Sequence, residues 1–470
     1  MGQREVHRGP AWLRGALIAA VGLAALVLLL RHHLPDTGVA NPSAGDPPPR
    51  LILLVVLDTV RADHTSLCGY VRPTTPYLEA LVERGAAFTC DAEVSGSWTV
   101  PTHASFFTGQ PVPSHGAHYA AFAEGADYEG LAMHSLDDRH QTLAENLGSR
   151  GYQTAAVAAN SLVSSSTGLL RGFEFRSAPD ELHAFYRAPA VQAEVVRFLD
   201  HQVDPERPLF LFVNLMDAHD PWAPVPDGVG WVPPRDTLRW ECGEDEECTL
   251  DRFFRGTLDE SARDAWLSHV TDLYDHGIAT ADAALAELMG ALDSRGWLDD
   301  GYRLVVTSDH GELLGEHGLA YHGRYLYEPI TRVPILVQES GREPSALPTR
   351  LPGTAVFDLV RTGELSTEPG TAGAVAYPER TWIRKYEGRV GGATSVAVWR
   401  GDDKLLWMDG ELMAFDLAAD PGEERPQSAE GHPLRVALDP LVSGALASGG
   451  QGAAMTPEMV EALRAVGYVQ

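Results

Sequence analysis

Two short stretches carry residue types that can do chemistry at informative spacings. The first is 95–109, SGSWTVPTHASFFTG. Pro101 suits the first position of a helix, where its missing N–H costs nothing. Gly109 suits the stop. Thr99 is then expected just before the helix N-terminus, where unpaired N–H groups and the helix dipole favour negative charge. A hydroxyl placed there ionises at reduced cost, more so beside a metal. An ordinary helix cap is the competing reading of Thr99. The second stretch is 304–318, LVVTSDHGELLGEHG, where Asp309 and His310 directly follow an apolar run. Asp and His are both good ligands for a divalent cation. Asp58 follows another such run. Carboxylate and imidazole ligands with a hydroxyl nucleophile at strand ends fit metal-assisted ester hydrolysis.

The runs that must position these residues are 51–57 (LILLVVL), 152–159, 208–215 and 303–308. Continuous β-branched and leucine-rich runs read as strands buried on both faces. Helical patterns lie at about 75–85, 139–149, 188–201 and 259–294. The alternation predicts an α/β fold, a doubly wound and mostly parallel sheet flanked by helices. Ligands of such sheets bind beyond the carboxyl ends of the strands. Asp58-Thr59, then Met216, Asp217, Ala218 and His219, then Asp309-His310, follow three of the runs. They should share one crevice. Beyond about 345 the pattern is irregular, with β-rich stretches at 394–407 and 411–417. That predicts a smaller C-terminal α+β subdomain over 346–470, beside a catalytic domain over 51–345. A low-complexity loop is expected at 443–454 and a last helix at 456–466. The acidic 259–294 helix reads as a solvated face.

Asp+Glu number 65 against 36 Lys+Arg, a formal net charge of −29. Nucleic acid is not an expected partner, because no broad basic face exists to neutralise phosphates. Lys385 and Lys404 are the only lysines. Residues 12–30 approach the length of a transmembrane helix. Arg4, Arg8 and Arg14 before it, against Arg31 after it, place the 1–11 tail in the cytoplasm and the bulk outside. A cleaved signal peptide is the alternative, and it also exports the chain. Residues 31–50 form a Pro/Gly-rich linker. The four cysteines permit two disulfides in an exported chain. Cys242 with Cys248 would close a short acidic loop, leaving Cys68 with Cys90.

The motifs together resemble the sulfatase branch of the alkaline-phosphatase superfamily. They are LDTVRADH (57–64), TVPTHASFFTG (99–109), FVNLMDAHDPW (212–222), SDHGELLGEHG (308–318), YLYEPITRVPILV (325–337) and AFDLAADPGEERP (414–426). The resemblance implies a doubly wound α/β domain with a smaller C-terminal part. It implies metal ligation by Asp58, Asp309, His310 and the Thr99 oxygen, with Thr99 as nucleophile. It implies that His322 assists the leaving group and that His219 contacts the transferred group. His103 takes the place of an arginine in the family's signature. Glu312 and His317 are read as supporting residues, and Tyr327 and Arg332 as packing. Asp217 is a candidate only for a second metal.

The departures carry as much information. Sulfatases convert a cysteine or serine at the nucleophile position to formylglycine, and Thr99 cannot form that aldehyde. A threonine sulfate ester lacks the aldehyde's exit, whereas a threonine phosphate ester can be cleaved by water. Thr59 replaces the second aspartate of the usual pair, so one metal is expected: Ca²⁺, Mn²⁺, Mg²⁺ or Zn²⁺. His310 stands where sulfatases commonly carry Asn or Gln, and the family's lysines are absent. The expected substrate is a small anionic ester, phosphate or phosphonate before sulfate, free or carried on a lipid or glycan. The alternatives are a membrane-bound transferase of phospho-head-groups and an anchored scaffold with a dead site.

Overall fold

The computed structural model describes residues 48–119, 133–179, 185–222, 225, 231–233, 246–342, 345–365, 371–377, 394–408 and 410–448. The expected tail, anchor and most of the linker, the 456–466 helix and Cys242 lie outside these residues. Among the described residues no helix is long and apolar enough to cross a membrane.

The strands are β1 (Leu51–Leu57), β2 (Ala87–Glu93), β3 (Gln153–Ala158), β4 (Phe175–Ser177), β5 (Leu209–Leu215), β6 (Tyr302–Ser308), β7 (Leu313–Leu314), β8 (Ala320–Tyr321), β9 (Arg332–Glu339), β10 (Leu351–Pro352), β11 (Ala372–Ala376), β12 (Ser395–Arg400), β13 (Asp403–Met408), β14 (Glu411–Asp416) and β15 (Gln427–Ser428). Eight form the main sheet in the order β10-β2-β9-β6-β1-β5-β3-β4. Only β9 runs against the others. A second sheet, β11 to β15, is antiparallel throughout. The fold is the expected α/β arrangement with an antiparallel C-terminal sheet.

The helices that matter here are α1 (Pro76–Glu83), α2 (Thr99–Thr108), α3 (Leu143–Ser149), α4 (Ala188–His201), α5 (Glu260–Asp293), α6 (Val356–Thr362) and α7 (Arg435–Ser448). Side chains of β1 alternate between the two faces of the sheet, as a strand dictates. Ile52, Leu54 and Val56 join a core with α2, α3 and α6. Leu51, Leu53, Val55 and Leu57 join a second core with α1, α4 and α5. Every β1 side chain is buried, each worth about 1.5–3 kcal/mol against exposure. That two-sided burial is why β1 reads as an unbroken apolar run.

Three sequence expectations need correction. Helix α2 starts at Thr99, with Trp98 as its cap, so Thr99 lies inside the first turn. Pro101 still falls among the first N–H groups, which have no intrahelical partner to lose. Residues 443–448 continue α7 and do not belong to a loop. The acidic helix α5 is not a solvated face: Asp272, Asp275 and Asp282 are buried. Asp275 accepts from Tyr70 Oη and Arg72 Nη1, each at 2.7 Å, and meets His64 Nδ1 at 2.7 Å. Asp282 accepts from the N–H groups of Tyr77 and Leu78 at the start of α1. Cys68 and Cys90 are joined by a disulfide.

Candidate active site

The register of three parallel strands builds the floor of the site. Leu57 pairs with Leu215 on one side and Ser308 on the other. Neighbouring strands lie about 4.8 Å apart, so the next residues, Asp58 and Asp309, emerge side by side. The chain turns sharply at Thr59, which has φ +63°. That region is uncommon for a side chain other than glycine. Bonds on both sides hold it: Thr59 N donates to Asp309 Oδ1 at 3.2 Å, and Tyr274 Oη of α5 donates to Thr59 O at 2.6 Å. Gly311 follows His310 because a Cβ there would lie 1.9 Å from Pro329 O.

Asp58, Asp309 and His310 are fully buried, and each offers one ligand atom within 4.8 Å of the others. Asp58 Oδ1, Asp309 Oδ2 and His310 Nε2 are all buried without a hydrogen-bond partner. His310 Nε2 lies 3.8 Å from Asp58 Oδ1 and 3.5 Å from Asp309 Oδ2. Buried polar atoms are normally paired, and three orphans facing one another are what a cation would satisfy. The remaining atoms are spoken for. Asp58 Oδ2 accepts from Asn160 Nδ2 at 2.9 Å and Asn214 Nδ2 at 3.4 Å. His310 Nδ1 faces the carbonyl of Gly311 at 3.0 Å. A carbonyl only accepts, so Nδ1 carries the hydrogen and Nε2 keeps its lone pair for a ligand. Asp and His donors fit a divalent cation.

Electrostatics agree with that reading. Burial pushes His310 well below the ordinary histidine range, keeping the ring neutral. Burial, then the Asp58 charge, pushes Asp309 well above the carboxylate range. Asp58 itself is held low: burial opposes its charge, but His219, His310 and the Asn160 amide outweigh burial. Two adjacent carboxylates thus share the strain of a site built for positive charge.

Thr99 is buried at the first turn of α2, with its Oγ1 accepting from Asn160 Nδ2 at 3.1 Å. The same amide nitrogen bonds Asp58. Sequence reasoning missed Asn160. It directly follows the 152–159 run, so the rule applied to the other strand ends would have found it. Asn214, in FVNLMDAH, receives the Asn160 N–H on its Oδ1 at 2.9 Å.

The histidines fall into two groups. His322 stands 4.3 Å from His310 and 5.0 Å from His219, centroid to centroid. Its Nδ1 meets the Glu312 carboxyl at 3.0 and 3.1 Å. Burial pushes Glu312 up to about 8 and His322 well down. His219 bonds through Nδ1 to the carbonyl of Asp220. His103 faces inward: its Nδ1 donates to Thr99 O at 2.9 Å and lies 3.5 Å from Asp309 Oδ2, bracing the first turn of α2. Burial lowers its basicity. Asp217 accepts from Ala188 N at the start of α4, at 3.3 Å, and stands outside the ligand cluster. Tyr327 stacks on His317, and Arg332 holds Asp91 and the carbonyl of Cys90.

A mostly parallel sheet with a buried hydroxyl at a helix start, and carboxylates and an imidazole converging beside it, is an arrangement that can carry out metal-assisted ester hydrolysis. The family model described as Sulfatase matches residues 50–362. The chain belongs to the sulfatase family, and it is an ester hydrolase. The choline-sulfatase of Rhizobium meliloti (strain 1021) is 27% identical over 411 residues, covering 74% of this chain and 76% of that protein. A protein solved with its substrate D-glucosamine-2-N,6-O-disulfate superposes with a TM-score of 0.60 at 16% identity, covering 85% and 97% of the two chains. The phosphonate monoester hydrolase of Agrobacterium radiobacter gives 0.58 at 18% identity, covering 85% and 95%. At these identities the two structures establish the fold.

Proposed function

We propose that this chain is a metal-dependent hydrolase of phosphate or phosphonate esters with Thr99 as its nucleophile. The observation that carries the reading is the shared amide: Asn160 Nδ2 ties Thr99 Oγ1 to Asp58, one wall of the ligand cluster. A divalent cation held by Asp58, Asp309, His310 and the Thr99 oxygen would supply positive charge to the ester oxygens and lower the cost of ionising the hydroxyl. Thr99 Oγ1 forms the new bond to phosphorus while the bond to the leaving oxygen breaks. Glu312, which carries the proton of the pair at neutral pH, passes it to His322 Nδ1 as the ring gives a proton to the leaving oxygen. Water then attacks the phosphothreonine, passes a proton to His322, and restores Thr99. His219 serves the oxygens of the transferred group, and His103 keeps the Thr99 turn in place.

Relatives of this fold act on sulfate and on phosphonate esters, as their names state. Thr99 favours phosphorus, since a threonine ester of sulfate has no carbonyl to collapse to. The Cys68–Cys90 disulfide supports an exported catalytic unit, in keeping with an anchor at 12–30. The test is a panel of aryl sulfate, phosphomonoester, phosphodiester and phosphonate substrates with several divalent metals, on wild type and Thr99→Ala. Phosphodiester or phosphonate turnover should lead and vanish in the variant. Sulfatase activity in excess of it, or full activity in Thr99→Ala at intact metal occupancy, overturns the proposal.

A further inference from the structure

Lys404 is one of two lysines in the chain and is wholly buried. Its Nζ donates to Leu326 O at 2.7 Å and lies 2.6 Å from Glu423 Oε1 and 3.2 Å from Glu328 Oε1. It sits 4.8 Å from the centre of the Trp399 ring, whose Nε1 donates to the same Glu328 oxygen at 2.7 Å. Glu423 Oε2 accepts the backbone N–H of Glu328 at 2.6 Å. Arg350 Nη1 bonds Glu328 Oε2 at 2.7 Å and reaches Glu93 at the end of β2. Lys404 of β13 and Glu423 of the β14–β15 loop therefore hold the 326–328 backbone at its two ends; Lys404 and Trp399 of the second sheet hold one Glu328 oxygen, and Arg350, just before β10, holds the other.

Burying an ammonium group is a poor route to stability, since apolar residues of equal volume often do as well or better. Glu423 and Arg350 also keep φ values of +54° and +56°, which costs each about 1–3 kcal/mol. What the cluster supplies is geometry. The gripped segment ties directly to both halves of the site. Gly311, next to His310, donates its N–H to Ile330 O at 2.8 Å, and Gly323, next to His322, donates to Ser97 O at 2.8 Å. The stretch from His322 to Ile330 is thus pinned at Gly323, at Leu326–Glu328 and at Ile330.

We propose that Lys404, with Glu423 and Trp399, is a positioning residue for His322: the second sheet sets the ring that serves the leaving oxygen by clamping the strand of chain that follows it. This rests on the reading of His322 as proton donor. It also assigns a task to the 414–426 motif, which contributes Glu423 and no group to the ligand cluster.

The experiment uses the full chain and two diesters of one phosphate, one with a nitrophenolate leaving group and one with an alkoxide. A nitrophenolate leaves without a proton; an alkoxide needs one. His322→Ala should lose about 10²-fold or more in kcat on the alkyl ester and about tenfold or less on the aryl ester. Lys404→Met and Trp399→Phe should show the same selectivity at smaller amplitude, about tenfold on the alkyl ester by the same measure, with KM unchanged. Equal losses on both esters, or none, beside a selective His322→Ala overturn the positioning proposal alone. A His322→Ala without selectivity overturns the proton-donor reading and this proposal with it. If Lys404→Met does not fold, Trp399→Phe decides by the same criterion, because it keeps an aromatic, apolar side chain of smaller size and removes the hydrogen bond to Glu328.

Discussion

Asn160 Nδ2 lies 3.1 Å from Thr99 Oγ1, and the same nitrogen is 2.9 Å from Asp58 Oδ2. An amide can donate to both because it carries two hydrogens. Removing it leaves a hydroxyl and a carboxylate oxygen in a dry site with fewer partners, which costs about 1–3 kcal/mol. Asn160→Ala should therefore lower kcat by roughly 10- to 100-fold while the metal content, read by elemental analysis, stays near wild type. Asn160→Asp should be worse, since a second carboxylate then faces Asp58. Wild-type turnover in Asn160→Ala would remove the shared amide from the mechanism.

The three orphaned atoms of Asp58, Asp309 and His310 make a prediction about metal removal. A ligand that binds only the folded state stabilises it by about 2.7 kcal/mol at a hundredfold excess over Kd. Chelation should therefore abolish activity and lower the melting temperature by several degrees. Readdition of one divalent ion per chain should restore both. Asp309→Asn should lose the metal-dependent part of the melting temperature. Identical melting with and without chelator would argue that the cluster holds no cation.

Legibility followed burial and charge. Strands β1, β5 and β6 were plain because both faces are apolar, and their ends delivered Asp58, His219, Asp309 and His310. Strand β9 was not read as one, since Pro334 interrupts its run, and β2 (AFTCDAE) is half-buried with no clean period. Asn160 carries no charge to draw attention at its strand end. The carboxylates of α5 looked like solvent-facing residues because their partners lie about 200 positions away: His64, Tyr70 and Arg72 for Asp275, and the start of α1 for Asp282. Composition along a helix does not reveal a distant partner. The 3.6-residue period does hint at it, since Asp272, Asp275 and Asp282 share one face.

Helix α5 also sets the loop that carries His219. A Cβ on Gly277 would lie 2.3 Å from Asp217 O and 2.6 Å from Ala218 Cα. Backbone atoms cannot rotate away, so Gly277→Ala must push the helix or the loop, at about 1–3 kcal/mol. Gly290, on the same helix, has nothing within 4 Å. Gly290→Ala should be neutral or stabilising by up to about 1 kcal/mol through helix propensity. Gly277→Ala should lower both the melting temperature and kcat. If the two variants melt alike, the close approach at Gly277 is not a constraint.

One source of acid sensitivity should lie away from the ligand cluster, at His115. Its Nδ1 accepts the N–H of Ala117 at 3.1 Å, and its Nε2 meets Ser105 Oγ at 3.0 Å. The ring must be neutral to accept at Nδ1. Burial, then the nearby His118 and His140, pushes it down to about 3 from the ordinary 6.5. The unfolded chain thus takes up the proton first. The stability that His115 contributes is complete above 6.5 and is lost as pH falls toward 3. At pH 4.5 the loss comes to roughly 2–3 kcal/mol. His115→Gln removes the titration, so its unfolding free energy should fall less steeply than wild type between pH 6.5 and 4, by about one proton's worth of slope. Taking the difference between the two chains cancels the carboxylates that titrate in both. Parallel curves from denaturant melts across that range would show that His115 is not a source of acid sensitivity.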